Sequence, residues 1–255
     1  SYMNINEEVK MSKKSKDFNK NEEFRVSRTD LALFNDCPRC YYNKVFSGIS
    51  RPKSLPFVIN NAIDYALKDE FDYFREMQEV HPDFLSSGLQ KLVPYNGDEF
   101  SKYRSKGIEY HDKLTNLVLF GKLDDVWEDT ESGELFIADY KATSKKDISD
   151  IHSSFKMQMD IYVFIAQQVD NRFQNLTFFY YKNFKRGRSM VESDFETSII
   201  HYETNTDWVR KSLIKLKELL HDGFAPDPST ECQYCNYAKQ VSNIRYLKKE
   251  EVMNV

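Results

Sequence analysis

Glycine and proline are scarce, with 8 and 7 residues in a chain of 255. That scarcity excludes a collagen-like or linker-rich chain, and an apolar content of 40% excludes a disordered one. No run of eighteen apolar residues occurs, so no membrane span is expected. The polar opening SYMNINEEVKMSKKSKDFNKNEEF has no apolar stretch and does not read as a secretory signal. Charge of one sign is lacking too: 36 Lys and Arg against 40 Asp and Glu leave −4. Contact with nucleic acid therefore has to come from a local basic patch. Cysteines number four, too few for a disulfide scaffold, which points to a reducing, cytoplasmic setting. A Walker-type GK[ST] loop, G-x-S-x-G and H-E-x-x-H are all missing, so no built-in ATPase motor, serine hydrolase elbow or zincin helix is expected. Aromatic residues, in contrast, are plentiful (19 Phe, 16 Tyr and 2 Trp) and supply a sizeable core.

Residues 1–24 read as a flexible polar tail, 25–245 as a single folded domain, and 246–255 as a second tail. In RVSRTDLALFNDC, Ser27 is placed to cap a helix. Over 57–77, apolar residues recur at intervals of three and four, which predicts a long helix with Asp64 at the edge of its stripe. Residues 83–115 look helical, with a break near Pro94-Tyr95-Asn96-Gly97. The runs LVLFGKLDDVWED and LFIADYKAT, joined by TESGE, predict a β-hairpin over 117–142. A helix is predicted at 153–169, a strand at NLTFFYYKNF, and a last helix capped by Thr206 or Asp207 and ended by Gly223. The order implies an α/β fold in which helices flank a mixed central sheet.

The chemistry concentrates in the predicted hairpin. Asp139 and Lys141 are two apart and share one strand face, in an otherwise apolar run where charges are costly unless used or paired. Asp124, given the parity of Val118, Phe120 and Val126, is placed on the facing strand, with fourteen residues between it and Asp139. Two converging carboxylates suit a hard cation such as Mg²⁺ or Mn²⁺. A cross-strand salt bridge on an exposed hairpin is the other reading of the same residues. Gln158 and Tyr162, four apart, share a helix face. Cys37-x₂-Cys40 and Cys232-x₂-Cys235 account for every cysteine, and two such pairs complete a tetrahedral metal site joining the N- and C-terminal segments. Lys182, Lys185, Arg186 and Arg188 surround a turn and either grip phosphates or form a solvated hairpin tip. Lys145 and Lys146 directly follow the Asp-x-Lys strand, where a nucleic-acid backbone would pass.

The order GKLDD, IADYKAT and FKMQMDIYVF resembles the PD-(D/E)XK nuclease superfamily, in particular its RecB-type branch with G-x-x-D, D-x-K and Q-x-x-x-Y motifs. The opening SRTDLALFNDCPRCYY and the closing GFAPDPSTECQYCNY are similar to the ends of that branch. The resemblance implies a restriction-endonuclease-like core. It also implies Asp124 and Asp139 as ligands of Mg²⁺ or Mn²⁺, with the Tyr140 carbonyl as a further ligand. Lys141 is then the catalytic lysine, and Gln158 and Tyr162 orient the site. Where the family has Gly-x-x-x-His, this chain has Asn60 and Asp64, and Asp64 becomes the candidate ligand. Iron–sulfur members carry one early and three late cysteines. The two-plus-two arrangement here fits Zn²⁺, with a 4Fe–4S cluster as the alternative. The implied activity is a deoxyribonuclease similar to CRISPR-associated RecB-like exonucleases, acting on single-stranded ends. The implied partners are a helicase or a recombination or CRISPR-adaptation complex. The alternative is a catalytically inactive nuclease-fold module that binds DNA or a partner.

Overall fold

The structure, a computed structural model, describes residues 22–53, 58–144 and 150–244. The second tail, nearly all of the first, and Lys145 and Lys146 lie outside the described residues. What is described forms two compact units, one of residues 22–32 and 58–217 and the other of 33–53 and 218–244. Among the described residues no helix is long and apolar enough to cross a membrane.

The larger unit begins with β1 (Phe24–Ser27) and the start of α1 (Arg28–Asp36). Ser27 Oγ accepts the Asp30 N–H at 3.1 Å, the cap expected from the sequence. The predicted long helix is α3 (Val58–Met77), which buries Leu67 and Phe71 against the sheet. Residues 83–115 depart from the helical expectation. They form α4 (Pro82–Ser86), the edge strand β2 (Leu92–Pro94), α5 (Phe100–Ser105) and β3 (Ile108–Asp112). Gly107, at φ +96°, breaks the helix here, and a Cβ on it would fall 2.4 Å from the Gly121 carbonyl oxygen.

The predicted 117–142 hairpin also needs correction. Its first run splits into β4 (Leu117–Gly121) and β5 (Asp125–Asp129), which belong to different sheets. Strand β4 lies between β1 (parallel) and β3 (antiparallel) in a three-stranded sheet. The true hairpin is β5 with β6 (Leu135–Thr143), turned by Glu131 and Ser132, whose N–H groups donate to Asp129. Asp124 thus sits in the turn between β4 and β5, and strand parity does not apply to it.

Strand β6 continues through the crossover helix α6 (Ser153–Val169) to β7 (Leu176–Lys185), which is parallel to it. Strand β8 (Asp194–Glu203) pairs antiparallel with β7 and closes the five-stranded mixed sheet β2-β5-β6-β7-β8. Helix α6 buries every residue from Met159 to Ala166. Its charged member, Asp160, accepts hydrogen bonds from Tyr202 Oη, the Asn205 N–H and Trp208 Nε1 at 2.9–3.0 Å. Those three donors offset its burial and fix the roll of the helix that carries Gln158 and Tyr162. Between α3 and the sheet, Phe71 stacks on Trp127 at 5.8 Å and meets Tyr140 and Tyr180 at 5.2 Å.

The smaller unit holds α2 (Pro38–Phe46), α8 (Gln233–Ser242) and the end of α7 (Asp207–Asp222), which Gly223 terminates at φ +68° as the sequence suggests. Tyr42 Oη donates to the Gly223 carbonyl at 3.1 Å and Ser229 Oγ to the Asp36 carbonyl at 2.6 Å.

Candidate active site and cysteine cluster

Strand β6 presents alternate residues to opposite sides. Phe136, Ala138 and Tyr140 join the aromatic core against α3. Asp139 and Lys141 face the other way, toward α6. Asp139 is 2% exposed. Gln158 Nε2 donates to its Oδ1, and the Lys141 ammonium is ion-paired with its Oδ2. The Lys141 ammonium is thus the partner of this buried carboxylate oxygen. Burial, opposed by Lys141 and reinforced by the nearby Asp124 carboxylate, pushes Asp139 up to about 7. Lys141 also lies 4.6 Å from the Phe155 ring centroid. A cleft of about 240 Å³ opens beside this strand end, lined by Asn60, Asn61, Asp64, Tyr140, Lys141 and Phe155, among others.

Asp124 enters from the β4–β5 turn with its side chain 29% exposed. Its neighbour Asp125 is fully buried and spoken for. Arg75 and the Tyr140 hydroxyl both donate to it, and Arg75 also donates to the Tyr95 carbonyl at 2.6 Å. Of the two aspartates in GKLDD, Asp124 is the one whose carboxylate lies beside Asp139. Asp125→Ala would take from Arg75 and the Tyr140 hydroxyl their buried carboxylate, leaving Arg75 with Asp72 at 3.2 Å, and we expect it to cost about 3 kcal/mol in denaturant unfolding. Asp124→Asn should stay within about 1 kcal/mol of the parent protein. Similar losses from both would overturn this division of labour.

Asp64 lies on α3 at the edge of the same cleft. Lys68, one turn further on, sets its Nζ 2.8 Å from Asp64 Oδ2 and 3.3 Å from Asp124 Oδ1. Burial works against its charge, but Asp124 and Asp64 hold the Lys68 pKa above its ordinary value. Tyr162 is nearly buried against Gly121, where a Cβ would lie 2.7 Å from its ring and 3.2 Å from Arg28 Cβ. That close approach is the physical need for glycine in the G-x-x-D motif. Burial is the main reason the Tyr162 hydroxyl titrates above its ordinary value. Arg28 pulls it down while Asp124 and Asp139 push it up, so these groups share one electrostatic neighbourhood.

The sequence-predicted Asp124, Asp139, Lys141, Gln158 and Tyr162 therefore meet, with Asp64 reached through Lys68. The Tyr140 side chain points into the core, which leaves its backbone carbonyl as the group relevant to a metal. Lys68 and Arg28 were not singled out by the sequence pattern; the i, i+4 spacing of Asp64 and Lys68 was the available signal. Lys182 is engaged by Thr197 at 2.6 Å and Asp83 at 3.8 Å, and Lys185 by Glu196 at 3.1 Å. Arg186 and Arg188 stand exposed at the β7–β8 tip.

In the smaller unit, Cys37, Cys40, Cys232 and Cys235 bring their sulfurs within 4.8 Å of one another. The closest approaches are 3.5 Å for Cys40–Cys232, 3.7 Å for Cys40–Cys235 and 3.8 Å for Cys37–Cys235. Burial raises the Cys37 thiol, but hydrogen bonds from the backbone at Cys40 and Ser229 prevail and bring it down to about 6. Arg51 donates to Cys232 Sγ at 3.5 Å and pairs with Asp36 at 2.6 Å. Among the described residues this is the one set of three or more thiol, imidazole and carboxylate groups that converges on a common point. The cleft carboxylates are spread more widely, with two ammonium groups between them.

The donor sets fit different ions. Carboxylate and carbonyl oxygens suit a hard divalent cation, and the buried Asp139 carboxylate with Asp124 beside it offers such oxygens. Four thiolates suit zinc or iron.

Comparison with known proteins adds a family. The PD-(D/E)XK nuclease superfamily matches residues 50–240. No curated protein matches. A solved structure titled "Crystal structure of SSO0001" aligns with 86% of this chain and 85% of its own at 16% identity, with a TM-score of 0.38.

Proposed function

This chain belongs to the PD-(D/E)XK nuclease superfamily, and we propose that it is a divalent-metal-dependent deoxyribonuclease of the RecB-type branch. Members of the superfamily generally hydrolyse phosphodiester bonds with divalent metals. The observation that carries the reading is the convergence of Asp139, Lys141, Asp124 and Gln158 at one end of β6, beside an open cleft. Asp124, Asp139 and the Tyr140 carbonyl would hold Mg²⁺ or Mn²⁺; Asp64, the further candidate ligand, is taken up by Lys68 at 2.8 Å. Bound there, the ion supplies positive charge to a scissile phosphodiester and makes a water molecule more acidic. Lys141 steadies the charge that develops on the phosphate oxygens. Gln158 holds the Asp139 carboxylate in orientation, and Tyr162 packs the Asp124 turn through Gly121.

The resemblance to RecB-like exonucleases supports single-stranded ends as the substrate. It also supports a helicase or a recombination or CRISPR-adaptation complex as partner, inside the cell. Lys145, Lys146 and the tip residues Arg186 and Arg188, with Lys182 and Lys185 behind them, are the proposed phosphate contacts. For the cysteine cluster we favour one Zn²⁺ over a 4Fe–4S cluster. A tetrahedral ion with Zn–S bonds of about 2.3 Å sets its sulfurs about 3.8 Å apart, in line with the 3.5–3.8 Å approaches. In a cluster each thiolate binds a different iron, and the sulfurs stand further apart.

The test is cleavage of end-labelled single- and double-stranded DNA with Mg²⁺, Mn²⁺ or chelator. Metal-dependent products support the reading, and the product ladder gives the polarity. Retention of DNA without cutting under either metal would favour the second reading, a binding module. The observation behind that reading is the Lys68 ammonium lodged between Asp64 and Asp124.

A further inference from the structure

Lys68 belongs to none of the motifs that mark this site, yet it occupies a decisive place in it. Its ammonium bridges two carboxylates from different elements, Asp64 on α3 and Asp124 in the β4–β5 turn, at 2.8 and 3.3 Å. This is not a freely solvated surface pair, because the three side chains are only 23%, 34% and 29% exposed. We propose that Lys68 is a built-in cation that limits the carboxylate cleft to one divalent metal ion.

The inference rests on the reading that Asp124 and Asp139 hold a divalent ion. Two-metal phosphodiesterases set their ions about 3.5–4 Å apart, with oxygen ligands between and around them. Asp124 has Asp139 beside it, and these two carboxylates would hold a first ion. The other side of Asp124, facing Asp64, is where a second ion would find carboxylate oxygens, and the Lys68 ammonium is already there. Charge points the same way. Asp64, Asp124 and Asp139 bring three negative charges, and Lys68 and Lys141 bring two positive ones. One divalent ion leaves a single positive charge, which a single phosphodiester neutralises. A second ion would leave three in a partly buried cleft, where like charges are weakly screened. Lys68 thus acts as a positioning residue: it fixes two carboxylates and takes the place of a metal without touching the reacting atoms.

Mn²⁺ titration of the full chain, with free ion followed by electron paramagnetic resonance, tests this. Mn²⁺ is a hard ion and leaves the thiolate site to its softer metal. The parent protein should bind one Mn²⁺ per chain, and Asp139→Asn should bind none. Lys68→Met keeps the length of the side chain but not its charge. It should bind a second Mn²⁺ per chain; tighter binding of the first ion with the number still at one would overturn the inference. Lys68→Arg should behave as the parent. Lys68→Gln gives a second neutral variant should the Met protein fold poorly, with melting curves as the control. Neutral variants that bind Mn²⁺ with parental number and affinity would overturn the inference while leaving the metal site standing. Lys68→Arg behaving like the neutral variants would overturn it as well. A parent protein that binds no Mn²⁺ would remove the metal reading, and the inference with it.

Discussion

Lys141→Ala is expected to lower DNA cleavage by about 10³-fold or more while DNA retention and Mn²⁺ binding persist. The reasoning starts from the ion pair of Lys141 with Asp139, a carboxyl buried within β6. In the metal-free protein, Lys141 is the charge that opposes burial and keeps the Asp139 pKa from rising above about 7. Removing it makes Asp139 hold its proton more tightly, so the comparison belongs at pH 8.5 or higher, where metal displaces that proton in both proteins. Once an ion is bound, it neutralises Asp139 in place of the ammonium. What is lost is the cation aimed at the developing phosphate charge, a transition-state contact and not a binding one. Asp139→Asn should behave differently, losing metal and cleavage together. Cleavage by Lys141→Ala within tenfold of the parent would remove the lysine from the mechanism.

The second large effect is expected at the cysteine cluster. Cys232 is buried, lies 3.5 Å from Cys40 and accepts from Arg51. Cys232→Ser should lose the bound ion, so that zinc content falls from about one per chain toward none. Structural zinc contributes about 10–16 kcal/mol to the folding of small finger peptides. A loss of even about 4 kcal/mol here, at about 2–4 °C per kcal/mol, lowers the melting temperature by about 8–16 °C. A strong chelator should do the same to the parent protein and expose its thiols to a reagent such as dithionitrobenzoate. The reading fails if the melting point and thiol reactivity do not move. A brown protein with visible absorption would replace zinc with iron and sulfur.

Much of the site was legible because its chemistry is local. Asp139 and Lys141 share a strand face by simple alternation, and Gln158 and Tyr162 share a helix face by turn spacing. The cysteine pairs were legible from their two-residue gaps. Strand parity is a poor ground for Asp124, which occupies a turn and not a strand; the G-x-x-D spacing points to it independently. What separates it from Asp125 is Arg75, fifty residues earlier, and no pattern along the chain links the two. Lys68 was hidden for the opposite reason. A lysine four residues after an aspartate occurs on many solvated helix faces, and only the arrival of Asp124 from another element makes it distinctive. The stretch 83–115 is made of short segments whose apolar residues serve helix and strand equally well, whereas 117–142 is strand as expected and differs in which strands pair. Both depend on pairing with distant strands, such as β2 with β5 and β4 with β1.

The cysteine cluster also sets an order of events during synthesis. Cys37 and Cys235 are 198 positions apart, which takes about 10–40 s to traverse at about 5–20 residues per second. During that interval Cys37 and Cys40 are outside the ribosome with half a coordination sphere, open to oxidation and to premature capture of metal by two thiols. Every nascent chain passes through this window, so yield on expression should depend on the redox state and metal supply of the host as much as on the stability of the finished fold.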